Sequence, residues 1–128
     1  MAASGFDTVR LDALRPVEAP DGSRVRILPR LAGGSMIHIE LGASCVSHAV
    51  VHRTVEEIWY VLSGRGEMWR RLGEREETVP LAPGVSLTIP RGMHFQFRAS
   101  AEAPVSILAV TMPPWPGDDE AIPVAGRW

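Results

Sequence analysis

Two histidines and a glutamate at short spacing are the residues of this chain best placed to do chemistry. Residues 42–64 read Gly-Ala-Ser-Cys-Val-Ser-His-Ala-Val-Val-His-Arg-Thr-Val-Glu-Glu-Ile-Trp-Tyr-Val-Leu-Ser-Gly, which sets His48, His52 and Glu57 ahead of an apolar run closed by Gly64. Imidazoles and a carboxylate aimed inward from neighbouring strands make either a metal site or an acid–base pair. Side chains at i, i+2 and i+4 of a strand share a face, so a regular strand would turn His48, Val50 and His52 the same way. A second segment, Gly84 to Arg98, adds a glycine, the turn Pro90-Arg91-Gly92 and His94.

Strands must position these groups, and strand signals dominate. Val25–Leu28, Ser35–Leu41, Cys45–Val51, Glu57–Leu62, Glu67–Leu72, Glu76–Leu81, Val85–Ile89, Phe95–Ala99 and Val105–Thr111 are short, β-branched or aromatic, and separated by Gly or Pro. Ser63-Gly64-Arg65-Gly66 reads as a hairpin turn, since its glycines accept positive φ. Gly73 and Ala82-Pro83-Gly84 mark two more turns, and Thr8–Leu14 a short helical turn. Many short strands at regular spacing predict an all-β sandwich or barrel. The tail from Pro113 to Trp128 is too rich in proline for a regular ladder. Its Trp115, Ile122, Val124 and Trp128 are too apolar for free chain, so it is expected to seal the barrel or a partner subunit.

Length and charge bound the rest. With 128 residues the chain has room for one substantial core. Its formal net charge of −2 comes without a basic block, which argues against nucleic acid and anionic membrane as partners. The single cysteine, Cys45, excludes an internal disulfide and suits a reducing compartment. No apolar run approaches the ~20 residues of a membrane span, and Met1 to Arg10 lacks the apolar core of a signal peptide. A cytoplasmic location is the expectation. The eleven prolines and twelve glycines fall between apolar runs, as turn punctuation.

The segments resemble the cupin superfamily. Its first motif runs Gly, five residues, His-x-His, three or four residues, Glu, six residues, Gly. Glu57 and Gly64 fit, and His52 takes the second histidine position. The first histidine position falls on Val50, while His48 keeps the spacing from Gly42 instead. The second motif runs Gly, five residues, Pro-x-Gly, two residues, His, three residues, Asn. Gly84, Pro90 and Gly92 fit; the histidine position falls on Phe95 and the asparagine position on Ala99, with His94 one residue early. On a strand, one residue of offset turns a side chain to the opposite face. Either a tighter turn re-aims His94 into the barrel, or Phe95 and Phe97 face inward and His94 and Gln96 face out.

The resemblance implies one all-β domain over residues 1–128. That domain would be a cupin-type double-stranded β-helix, or jelly-roll barrel, of two antiparallel sheets with its core at about 24–112 and residues 113–128 packed as a tail. It implies a homodimer, through an edge strand or the tail, and a small molecule held in the barrel. The implied cofactor is a divalent transition metal (Fe, Mn, Ni or Zn) held by His52 and Glu57 with one or both of His94 and His48, serving an oxygenase, isomerase, lyase or cyclase. The alternative is a metal-free apolar pocket in which His52 and Glu57 act as catalytic acid and base, or a binding module without catalysis. Among the remaining residues, Glu56 is expected to be solvated and His38 to be an exposed strand histidine. Arg70 and Arg71 are expected to face Glu74, Glu76 and Glu77 across a hairpin, with Trp59 and Trp69 as core or interface mass.

Overall fold

A computed structural model describes residues 5–128 of the chain. In chain order the strands are β1 (Val17–Glu18), β2 (Arg24–Leu31), β3 (Gly34–Leu41), β4 (Val50–His52), β5 (Glu56–Ser63), β6 (Gly66–Leu72), β7 (Arg75–Leu81), β8 (Ser86–Ile89), β9 (His94–Ala99), β10 (Val105–Met112) and β11 (Ala121–Pro123). They form a six-stranded sheet in the order β1-β2-β3-β10-β5-β8 and a five-stranded sheet in the order β11-β4-β9-β6-β7. The strand pairs are antiparallel, and the two sheets face each other as a jelly-roll barrel.

The period-two pattern explains which faces meet. In β10, Val105, Ile107, Ala109 and Thr111 are buried and alternate with half-buried residues. In β5, Glu57, Trp59 and Val61 are buried while Glu56, Ile58 and Tyr60 are exposed. Trp59 sits edge-on to Phe97 at 5.1 Å and to Phe95 at 5.8 Å, tying the two sheets together across the core. Phe95 and Phe97 therefore face inward and Gln96 faces out. The turn after β5 needs glycine twice over. Gly64 has φ +82, and a Cβ there would run into the Pro104 carbonyl.

Four local expectations are corrected. The predicted strand Cys45–Val51 is irregular until Val50, apart from one bridge between Val46 and Arg98. Its backbone groups are satisfied elsewhere: Ser47 N–H donates to Phe97 O at 2.8 Å and His48 N–H to Asp21 O at 2.7 Å. The tail does contribute a ladder, β11, because an edge strand asks for hydrogen bonds on one side only and Pro123 stands at its end. Residues 17–18 add the two-residue β1, too short for a sequence pattern. His38 is buried, not exposed. It lies on the outer side of β3, with Nε2 2.5 Å from Ser106 Oγ and the 10–14 segment beside it.

The tail closes on its own barrel. Trp115 reaches the barrel mouth. Further on, the Gln96 side-chain carbonyl accepts from the N–H groups of Arg127 and Trp128, both at 2.9 Å. No helix among the described residues is long and apolar enough to cross a membrane.

Candidate active site in the barrel cavity

His52 and Glu57 stand on different sheets, at the end of β4 and the start of β5. A three-residue corner, Arg53–Val55, carries the chain from one sheet to the other. Glu120 clamps that corner from the tail. Its carboxylate accepts from Thr54 N–H at 2.6 Å, Thr54 Oγ1 at 2.6 Å and Val55 N–H at 3.1 Å. Burial pushes the Glu120 carboxyl up, but these hydrogen bonds and the nearby His52 outweigh it and leave the group below its ordinary value. The spacing of five residues between His52 and Glu57 thus becomes a fixed pair of opposing walls.

Glu57 is buried, and both its oxygens are engaged. Trp59 Nε1 donates to Oε1 at 3.0 Å and Thr111 Oγ1 donates to Oε2 at 2.6 Å. Strand geometry dictates both contacts. Trp59 lies two residues along the same face of β5, and Thr111 is the residue paired with Glu57 across β10. His52 is equally buried. Its ring meets Phe95 edge-on at 5.1 Å and Trp115 at 5.2 Å, and its Nδ1 has no hydrogen-bond partner among the described residues. A buried ring nitrogen without a partner costs on the order of 1–3 kcal/mol.

Between these walls lies a cavity of about 210 Å³, lined by His52, Glu57, Trp59, Phe95 and Trp115 with aliphatic side chains of β2 and β3. Its mouth opens beside Ile27, which is 62 % exposed, and Arg30. Asp21 and Ser23 join the lining from the loop between β1 and β2.

The other two sequence candidates are placed outside this cavity. His48 is exposed and its ring lies against Gly22. Its strand begins only at Val50, so the parity linking it to His52 does not apply. His94 opens β9 on the outer side, where Arg71 Nη2 lies 3.3 Å from its Nδ1. Burial, then the Arg71 charge, hold its pKa below 6.5. Arg70 does meet Glu77 across the hairpin, at 2.8 Å, but shares the inward face with Met68 and also donates to Thr88 O. Thr111 and Trp115 were not singled out from sequence. Thr111 carried a signal, a polar residue at an inward position of an apolar alternation. Trp115 carried none, since only the folded-back tail brings it to His52.

A family model of the cupin domain matches residues 35–111, more than half the chain. The chain belongs to the cupin family. No curated protein matches it. Among solved structures, this cupin is similar to ectoine synthase from P. lautus, at 18% identity and a TM-score of 0.75, covering 96% of this chain and 93% of that one. It is similar to KdgF from Halomonas sp. at 18% identity and a TM-score of 0.72, covering 84% and 94% respectively. An oxalate decarboxylase from Bacillus subtilis gives 14% identity and a TM-score of 0.73, with 90% of this chain covering 31% of that one. At these identities the likeness establishes the fold alone.

The residues of this cupin do not fit the metal centre its motif implies. A divalent transition ion asks for at least three converging donors. His52 and Glu57 offer two, and the remaining motif positions, Val50 and Phe95, are buried hydrocarbons in the core. Among the described residues no three His, Cys, Asp or Glu side chains group as a metal site.

Proposed function

We propose that this cupin binds a small, largely apolar, planar molecule in its barrel and moves a proton on it between Glu57 and His52, without a metal. The observation that carries this reading is the wall opposite Glu57. Val50 and Phe95 stand where further donors would be needed, and Trp59 and Thr111 already hold both oxygens of the carboxylate. Two neutral donors leave lone pairs on Glu57 that point toward bound substrate. Glu57 takes a proton from carbon or oxygen of the substrate, and His52, on the facing wall, returns one to a neighbouring atom. That is the chemistry of an isomerase or cyclase. The aromatic walls select flat substrates. A cavity of about 150 Å³ accommodates benzene, so one to two rings suit a cavity of about 210 Å³.

Two measurements test the reading. Protein purified without chelator and titrated with Fe(II), Mn(II), Ni(II) and Zn(II) is expected to hold less than about a tenth of an equivalent of any. A stoichiometric metal that His52→Ala removes overturns the metal-free assignment. For proton transfer, 2-tetralone in deuterated buffer serves as a bicyclic ketone probe. Its α-hydrogens are expected to exchange faster with the protein than in buffer, and at the buffer rate with Glu57→Gln. Exchange that Glu57→Gln leaves unchanged, or no acceleration at all, sinks the acid–base role.

A further inference from the structure

The cavity has a second polar element that the Glu57–His52 pair does not use, and it lies in the hairpin between β1 and β2. Ala19, Pro20, Asp21 and Gly22 make a tight turn in which Gly22 N–H donates to Ala19 O at 2.9 Å. Proline presets the second residue of such a turn, and Gly22, at φ +87, leads the chain back toward β2. Hydrogen bonds then fix Asp21. Its backbone carbonyl accepts from His48 N–H at 2.7 Å, and its Oδ1 accepts from Ser23 N–H at 2.9 Å and Ser23 Oγ at 2.6 Å. Oδ2 has no hydrogen-bond partner among the described residues, although Asp21 is only 9% exposed and lines the cavity. Leaving a buried carboxyl oxygen open is unfavourable, and a ligand that donates to it removes the deficit.

The acidic excess extends around the opening. Besides Asp21, the side chains of Glu18 from β1 and Asp118 from the tail border the cavity, against the single basic side chain of Arg30. Among the described residues no ion pair engages any of the three acids. Arg30 is shared with a second hollow at the β2–β3 turn. The aromatic rings of Trp59, Phe95 and Trp115 add π-faces, which are themselves negative. Low-dielectric walls concentrate such a field at a cleft opening.

We propose that the molecule held in this barrel carries a protonated nitrogen, and that Asp21 selects it through Oδ2; this rests on the proposed function, since it names the polar end of the molecule bound there. The ring system lies along the aromatic walls between Glu57 and His52. Its ammonium group stands toward Asp21, with Glu18 and Asp118 beyond. An N–H donor on a cation gives a carboxylate the stronger, charge-assisted hydrogen bond that a neutral hydroxyl cannot match. Neighbouring ring faces favour the same charge. An anionic substituent would meet three acids for one guanidinium.

Three ligands on one bicyclic frame test this by calorimetry on the full chain: 2-aminotetralin, protonated at neutral pH, 2-tetralol, and tetralin-2-carboxylate. The amine is expected to bind at least about tenfold more tightly than the alcohol, a difference of 1.4 kcal/mol, and the carboxylate more weakly than either. Asp21→Asn, whose amide oxygen still accepts from Ser23, is expected to cut the amine's advantage to less than about threefold. Should Asp21→Asn fail to fold, salt decides instead. Going from about 0.1 M to about 1 M shortens the screening length from ~10 to ~3 Å and is expected to shrink the advantage in the wild type; an advantage that salt leaves unchanged overturns the proposal. Equal binding of amine and alcohol, tightest binding of the carboxylate, or an advantage that a folded Asp21→Asn retains also overturns it. Those results leave the 2-tetralone exchange, and with it the proton-transfer reading, standing. Binding of none of the three overturns the reading of the cavity as well.

Discussion

Glu57 is buried and hydrogen-bonded on both oxygens, and its two neighbours allow its role to be separated from stability. Thr111→Val keeps shape and removes the 2.6 Å hydrogen bond to Oε2, leaving an oxygen of a buried carboxylate without its donor. Leaving a buried acceptor without its donor costs about 1–3 kcal/mol, so Thr111→Val should cost that much. For a domain of this size the melting temperature then falls by about 5–10 °C. Glu57→Gln behaves differently. The amide oxygen still accepts from Trp59 Nε1, and the amide NH₂ donates to Thr111, whose hydroxyl rotates to accept. Trp59 and Thr111 each keep a hydrogen bond to residue 57, so stability should stay within about 1 kcal/mol of wild type. Chemical denaturation followed by circular dichroism, with a two-state check, measures both variants. A Glu57→Gln loss as large as that of Thr111→Val would show the carboxylate to be structural. A Thr111→Val variant as stable as wild type would remove the argument that Thr111 holds Glu57 in place.

Two further outcomes follow from the same geometry. The folded pKa of Glu120 lies below the ordinary 4.5, so the unfolded chain binds its proton first, and the stability this group supplies is present above that value and lost on acidification. Glu120→Ala, which leaves the Thr54 and Val55 N–H groups without their acceptor, should cost about 1.5–3 kcal/mol at neutral pH and flatten the acid limb of a melting series; an unchanged limb would contradict the clamp. Conversely, V50H/F95H places imidazoles at the two motif positions now held by hydrocarbon, next to His52 and Glu57. That double variant should bind one equivalent of Zn(II) or Ni(II) by calorimetry, and a folded V50H/F95H that binds none would undo the proposal that hydrocarbon at these two positions keeps a metal out.

The fold was readable in advance because its signals are local and repeated. The alternation in Glu57–Leu62 and Val105–Thr111 set which residues face the core, and Gly64 and Pro90-x-Gly92 set where the strands turn. The site was readable only where such a pattern ran unbroken. Glu57 and Trp59 lie inside a regular strand, and so does Phe95, whose inward position turned His94 outward by parity. His48 lay beyond the reach of parity, because hydrogen bonds from Ser47 to Phe97 and from His48 to Asp21 take the chain out of strand geometry before Val50.

By itself, then, the sequence determined an all-β barrel of cupin type with His52 and Glu57 as its candidate pair. Tertiary structure alone decided that His48 and His94 lie outside the cavity, that Thr111 holds the carboxylate, and that Trp115 and Glu120 return from the tail to wall and clamp the site. The physical reason is range. Side-chain direction along a strand follows from chirality and a two-residue period, whereas the start of a strand, and the partner across a cavity, are set by hydrogen bonds and packing between segments distant in the chain.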